Sequence, residues 1–150
     1  MKKLYLLLPI LFLIYWGCDD PKEEVDDTPT EVTLWGEVYS VEDTDTLYLS
    51  GNELTGSIPS EIGNLTNLIY LVLSSNQLTG SIPPEIGNLD SLTYLNLSDN
   101  QLTGEIPESI CDLNIDWDGY KFGISNNQFC PPYPSCIEDD VGYQDTSDCL

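Results

Sequence analysis

The apolar positions in the middle of the chain fall into one unit that repeats at a shift of 24 residues. Leu47-Tyr-Leu-Ser-Gly-Asn52-Glu-Leu-Thr-Gly-Ser-Ile-Pro59 returns as Leu71-Val-Leu-Ser-Ser-Asn76-Gln-Leu-Thr-Gly-Ser-Ile-Pro83, and again as Leu95-Asn-Leu-Ser-Asp-Asn100-Gln-Leu-Thr-Gly-Glu-Ile-Pro107. A fixed period of this size predicts a solenoid, in which each coil buries its apolar face only against its neighbours. Within a unit, Leu71 and Leu73 alternate with Tyr70, Val72 and Ser74, the period of a short strand with one face inward. Asn76 ends the strand, where its amide can bond backbone groups at the turn, and stacked Asn76 and Asn100 can bridge adjacent coils. Gly80 and Pro83 then turn the chain into the convex side, with Leu78, Ile82, Ile86, Leu89 and Leu92 pointing in. About eight inward residues per coil suffice only when coils stack, so a domain of three repeats depends on its caps.

The pattern L-x-x-L-x-L-x-x-N-x-L resembles that of leucine-rich repeats, and the Leu-Thr-Gly-x-Ile-Pro and Glu-Ile-Gly-Asn-Leu segments resemble the 24-residue plant-type subclass. The resemblance spans about residues 32–137. It implies an α/β-type solenoid: a right-handed coil with a parallel β-sheet on the concave face, an irregular or 3-10 convex side and few α-helices. The expected organisation is an N-terminal cap at 32–46, three repeats at 47–116, and a degenerate repeat with a disulfide-rich cap at 117–150. Leu34-Trp35-Gly36-Glu37-Val38-Tyr39 is similar to the Trp-Gly-Val-x-Cys element of plant N-caps, but Tyr39 stands in place of the Cys, so packing by Trp35 must substitute for that disulfide. Phe122-Gly-Ile124-Ser-Asn-Asn127-Gln-Phe129 reads as a fourth strand and turn, with Asn127 spaced 27 residues from Asn100.

Cys130-Pro-Pro-Tyr-Pro-Ser-Cys136 resembles the closing loop of plant and bacterial members, and Cys111 and Cys149 complete a set of four. Two disulfides are expected. Stacking places Cys136 beside the Cys111 coil and favours Cys111–Cys136 with Cys130–Cys149, whereas the resemblance to plant caps favours Cys130–Cys136 with Cys111–Cys149. Both pairings stand at this point. A zinc site of four thiolates is the reading that an export signal argues against.

Before the repeats, Met1-Lys2-Lys3 and the apolar run Leu4 to Trp16 have the form of an export signal, too short for a membrane-spanning helix. Gly17-Cys18 after that run resembles a bacterial lipobox, with Tyr15 where Leu is usual. The implied layout is a signal peptide at 1–17, lipidation on Cys18 and an acidic, disordered tether over 18–31. Removing Cys18 from five cysteines leaves an even four. The implied location is an outer-membrane or cell-surface lipoprotein, the alternative a secreted protein, touching membrane only through the lipid.

Charge narrows the function. Asp and Glu number 26 against 4 Lys and Arg, with no His. Nothing can neutralise a row of phosphates, so nucleic acid is excluded as a partner, and Ser-His-Asp or His-metal chemistry has no residues to run on. No cofactor is expected. Asn114-Ile-Asp116-Trp-Asp118-Gly119 opens like a calcium loop, but Ser125 occupies the place of the bidentate Glu. Carboxylates are plentiful enough for a polysaccharide-active enzyme, yet a short solenoid offers no deep pocket to desolvate a general acid.

The shared surface is the concave face, whose outward positions align in columns: Thr46, Tyr70, Tyr94, Lys121; then Tyr48, Val72, Asn96, Gly123; then Ser50, Ser74, Ser98, Ser125. Coils about 4.8 Å apart would gather Tyr48, Tyr70 and Tyr94 into one aromatic patch. Tyrosine supplies large amphipathic contact area at low entropy cost, and flat faces for sugar rings. The expected function is non-catalytic recognition of a protein or glycan by a monomer, with Tyr48, Tyr70, Tyr94, Asn96, Thr46 and Lys121 in the ligand-binding face. The alternative is a coat or spacer protein without a specific ligand.

Overall fold

A computed structural model of the chain describes residues 28–117 and 120–149. The signal peptide, Cys18 and the tether as far as residue 27 lie outside the described residues, as do Asp118 and Gly119 of the loop that resembles a calcium site.

The first element is an antiparallel hairpin of β1 (Glu31–Leu34) and β2 (Glu37–Ser40). Its two-residue turn, Trp35-Gly36, has positive φ at both positions, 48° and 90°, which matches the twist of the strands it joins. Val32 and Leu34 point into the core and are buried. Trp35, expected to replace a missing disulfide by packing, does pack against the core but only partly buried, and its Nε1 has no hydrogen-bond partner. The hairpin strand residues Val32 and Leu34 carry the fully buried part of the cap.

Three full coils follow, each with two strands and a 3-10 helix: β3 (Thr46–Tyr48), β4 (Thr55–Gly56) and Ser60–Asn64; β5 (Tyr70–Val72), β6 (Gln77–Gly80) and Pro84–Asn88; β7 (Tyr94–Asn96), β8 (Gln101–Gly104) and Glu108–Asp112. A fourth coil contributes β9 (Phe122–Gly123) and β10 (Gln128–Phe129). One parallel sheet runs β3-β5-β7-β9 and forms the concave face. The second, β4-β6-β8-β10, adds order where the sequence predicts only a turn into an irregular side. Its cause is local: in Gln77-Leu78-Thr79 only Leu78 is buried, so the segment alternates like a strand; Gln77 and Leu78 pair with Thr55 and Gly56 of the coil before, and Thr79 and Gly80 with Gln101 and Leu102 of the next.

Leu71, Leu73, Leu78, Ile86, Leu89 and Leu92 are fully buried and Ile82 nearly so, as the periodicity predicts. The 3-10 helices stack closely because the first two each carry a glycine toward the next. A Cβ on Gly63 would lie 2.5 Å from the Glu85 carbonyl oxygen, and one on Gly87 would lie 2.7 Å from Ser109.

An asparagine ladder ties the coils. Asn100 Nδ2 donates to the carbonyls of Leu97 in its own coil and Leu73 in the coil before, both at 3.0 Å. Its Oδ1 accepts the Leu78 N–H at 3.1 Å. Asn127 repeats all three bonds one coil on, to Ile124, Leu97 and Leu102. These amides are buried, so each satisfies backbone groups that water cannot reach. Of the two cysteine pairings, the one favoured by stacking is present: Cys111–Cys136 and Cys130–Cys149, with Cα separations of 5.8 and 5.6 Å. Among the described residues no helix is long and apolar enough to cross a membrane.

Candidate functional site

The outward positions of the concave sheet fall in the columns expected from the 24-residue shift. Thr46 pairs with Tyr70 and Tyr70 with Tyr94, while Tyr48 pairs with Val72 and Val72 with Asn96. Because strand residues alternate in facing, Leu47, Leu71 and Leu95 turn into the core beneath this surface. Tyr48 and Tyr70 stack across the diagonal between columns, ring centroids 6.2 Å apart with planes at 28°. Tyr70 and Tyr94 lie 6.1 Å apart at 38°. Tyr48 and Tyr70 are exposed, 65% and 40%, and Tyr94 is half-buried. Val72 forms a buried floor beside them.

The other sequence-derived candidates differ in how free they are. Asn96 is half-buried, and its Oδ1 accepts the Ser98 N–H at 3.0 Å. Its side chain lies against the next coil, where a Cβ on Gly123 would come within 3.1 Å of that oxygen. Lys121 extends the first column and stands 3.8 Å from Asp116, a contact between solvent-accessible groups that leaves the ammonium available. Asp116 was one of the residues of the loop resembling a calcium site; in the fold it faces this lysine. The serine column is linked across coils, Ser50 Oγ to Ser74 Oγ at 3.0 Å and Ser125 Oγ to Ser98 Oγ at 3.4 Å.

Two apolar members of the surface escaped the alternation rule. Ile69 and Tyr120 precede their strands by one and two residues and are exposed, 36% and 85%. Ile69 N–H donates to Asp45 and Thr93 N–H donates to Ile69, so Asp45, Ile69 and Thr93 stack as a further column at the sheet margin. The repeat itself carried that signal for Ile69, since Asp45, Ile69 and Thr93 recur at the 24-residue shift.

The face is open rather than enclosed. Clefts of about 420 and 440 Å³ lie elsewhere, along Thr28 and Pro29, one reaching Glu42 and Asn67 and the other the 3-10 helices at Gly63 and Gly87. Charge is segregated. None of the outward positions of the three concave columns is a carboxylate, in a chain with 26 acids, and Lys121 is the one cation among the described residues. What this arrangement can do is present a neutral, aromatic surface to a ligand that an acidic exterior would otherwise repel.

Residues 42–114 match the family model of the leucine rich repeat. No curated protein matches the chain. Among solved structures it is similar to the PEPR1–AtPEP1 complex, at 42% identity and a TM-score of 0.56, over 62% of this chain and 13% of that one. It is similar to the BIR3–SERK2 complex from Arabidopsis thaliana at 38% identity and a TM-score of 0.54, over 64% of this chain and 52% of that one. It is also similar to the Arabidopsis receptor kinase HAESA ectodomain in complex with an N-terminally extended IDA peptide hormone ligand, at 34% identity and a TM-score of 0.55, over 66% and 17%. The match spans about half or less of the length of each of these structures. Repeat pattern, paired parallel sheets and family match together make the described part of this chain a leucine-rich-repeat solenoid.

Proposed function

We propose that the domain is a non-catalytic recognition module that binds a protein or glycan through its concave face. The observation that carries this reading is the packed Tyr48–Tyr70–Tyr94 series, set in three outward columns that contain no carboxylate. Exposed, mutually packed tyrosines offer contact area at little entropic cost. The HAESA ectodomain, similar over two-thirds of this chain, is seen with a peptide hormone ligand, which supports a protein or peptide among the partners. The same proposal has the protein exported and held at a bacterial surface by lipid on Cys18, through the tether at 18–31, as a monomer. Two disulfides support an oxidising compartment.

The test is a cross-linking pull-down from cells of the source organism and its neighbours, comparing the full chain with a Tyr70→Ala/Tyr94→Ala/Asn96→Ala variant whose fold is checked by circular dichroism. A partner captured by the first and lost by the second is the expected result. Identical capture by both, or none by either, overturns concave recognition and leaves the coat or spacer reading.

A further inference from the structure

The two ends of the solenoid are built differently. At the C-terminal end, Val141 to Asp145 lies across the fourth coil: Asn127 bridges Gln144, Asn126 N–H donates to Tyr143, and Asp145 N–H donates to Asn127. At the N-terminal end, among the described residues, no strand pairs with the outer edge of β3 or of β4. The β1–β2 hairpin packs against the 3-10 helix Ser60–Asn64 and does not extend the concave sheet. Leu49 N–H donates to Val72 and Tyr70 N–H donates to Asp45, so the odd-numbered residues of this strand bond to β5. By the alternation of a parallel ladder, the backbone groups of Thr46 and Tyr48 face the open edge. An open strand edge is a template for a further strand.

Charge decides what can use it. Glu31, Glu37, Glu42, Asp43, Asp45 and Glu53 are all exposed in the hairpin and first coil. Lys121, the cation of the described domain, lies on the fourth coil, at the opposite end of the sheet. Two copies meeting edge to edge would set these acids against each other, the kind of like-charge guard that keeps edges from self-pairing. A segment bearing lysine or arginine would instead be drawn in. Tyr48, 65% exposed on the edge strand itself, offers a ring face to such a cation.

We propose that the β3 edge is a docking site for an extended, basic polypeptide segment of a partner protein, which adds a strand beside Thr46–Tyr48. This rests on the recognition reading and narrows its partner class, because main-chain pairing is available to a peptide and not to a glycan.

The test uses the full chain and a synthetic ten-residue peptide of alternating Lys and Thr. The control is the same peptide N-methylated at its four central residues, equal in charge but unable to pair. Hydrogen exchange of the Thr46 and Tyr48 amides is followed by NMR. The unmodified peptide is expected to slow both at least tenfold at saturation, and the methylated peptide to leave them unchanged. Tyr48→Pro, which removes an edge N–H where proline is tolerated, should abolish binding. Equal effects from both peptides, or none from either, overturn the proposal. So does protection in the free protein, which marks a second copy where it grows with concentration and the chain's own N-terminal residues where it does not. Tyr94→Ala/Asn96→Ala leaves this protection intact while cutting concave recognition, so the two readings fail separately.

Discussion

Gln144 Nε2 donates to the Ile124 carbonyl at 3.0 Å, the same bond that Asn127 makes to Leu97 and Asn100 makes to Leu73. Its remaining bonds complete the match: Nε2 to Val141, three residues back, at 2.7 Å, and Oε1 accepting from Phe129 N–H at 3.3 Å. Gln144 is therefore the next rung of the asparagine ladder, supplied by a tail that makes only the turn of a fifth coil. A solenoid ends with unpaired backbone groups unless something stands in for the missing neighbour. Gly142 makes room for this, since its φ is 62° and a Cβ there would lie 2.7 Å from Ser125.

Gln144→Ala leaves the Val141 carbonyl and the Phe129 N–H without these partners, while the Ile124 carbonyl keeps its bond from Asn127. The expected loss is about 2 kcal/mol in urea unfolding, because buried unsatisfied groups each cost on the order of 1–3 kcal/mol. A change under about 0.5 kcal/mol would show that water replaces the amide.

The ladder positions are not equivalent. Asn100 is buried and bonds both ways, whereas Asn52, with no coil before it, is exposed and donates only a 3.4 Å bond to Ser50. Asn100→Ala should cost about 3 kcal/mol and Asn52→Ala under about 0.5 kcal/mol in the same measurement.

The residue before each ladder asparagine sits in the left-handed region: Gly51 at φ 66°, Ser75 at 56°, Asp99 at 58° and Asn126 at 57°. Only the first coil has glycine there. Ser75→Gly relieves a conformation that disfavours a side chain by about 1–2 kcal/mol, offset by greater freedom in the unfolded chain. A net gain of about 0.5 kcal/mol, read as a raised melting temperature, is expected.

Cys130→Ser/Cys149→Ser opens a loop of 19 residues' separation and should cost about 3 kcal/mol, with the Cys111–Cys136 link, separation 25, surviving in non-reducing peptide maps. Recovery of a Cys130–Cys136 peptide from the native protein would contradict the fold.

Asp145 accepts the Ser147 N–H at 3.1 Å, and hydrogen bonding from the Ser147 hydroxyl and backbone holds its carboxyl below the ordinary aspartate value. A lowered folded value means stabilisation present above the unfolded pKa and lost as pH falls through the folded one. The gap in melting temperature between the native protein and Asp145→Ala should be steady at neutral pH and close below about pH 4.

Repetition made most of the coil legible. Identical residues at a 24-residue shift dictate which leucines face inward, which asparagines stack and which tyrosines share a surface, because neighbouring coils must place equivalent atoms at equivalent positions. The second sheet was not legible, since Gln77-Leu78-Thr79 alternates over too few residues to tell a strand from a turn. The constraint on Asn96 was equally hidden: the sequence aligns it with Gly123, but only the folded coils show its amide lying where a Cβ on Gly123 would stand.

The ends show where sequence stops deciding. From the chain alone came the period, the concave columns, the charge and two admissible cysteine pairings. The tertiary structure chose Cys111–Cys136 and Cys130–Cys149, turned Trp35-Gly36 into a hairpin, and made Gln144 a rung of a ladder. The physical reason is that a repeat encodes its contacts locally, each residue meeting its own counterpart one coil away. A cap has no counterpart to copy, so its contacts exist only once the last coil has brought the tail to it.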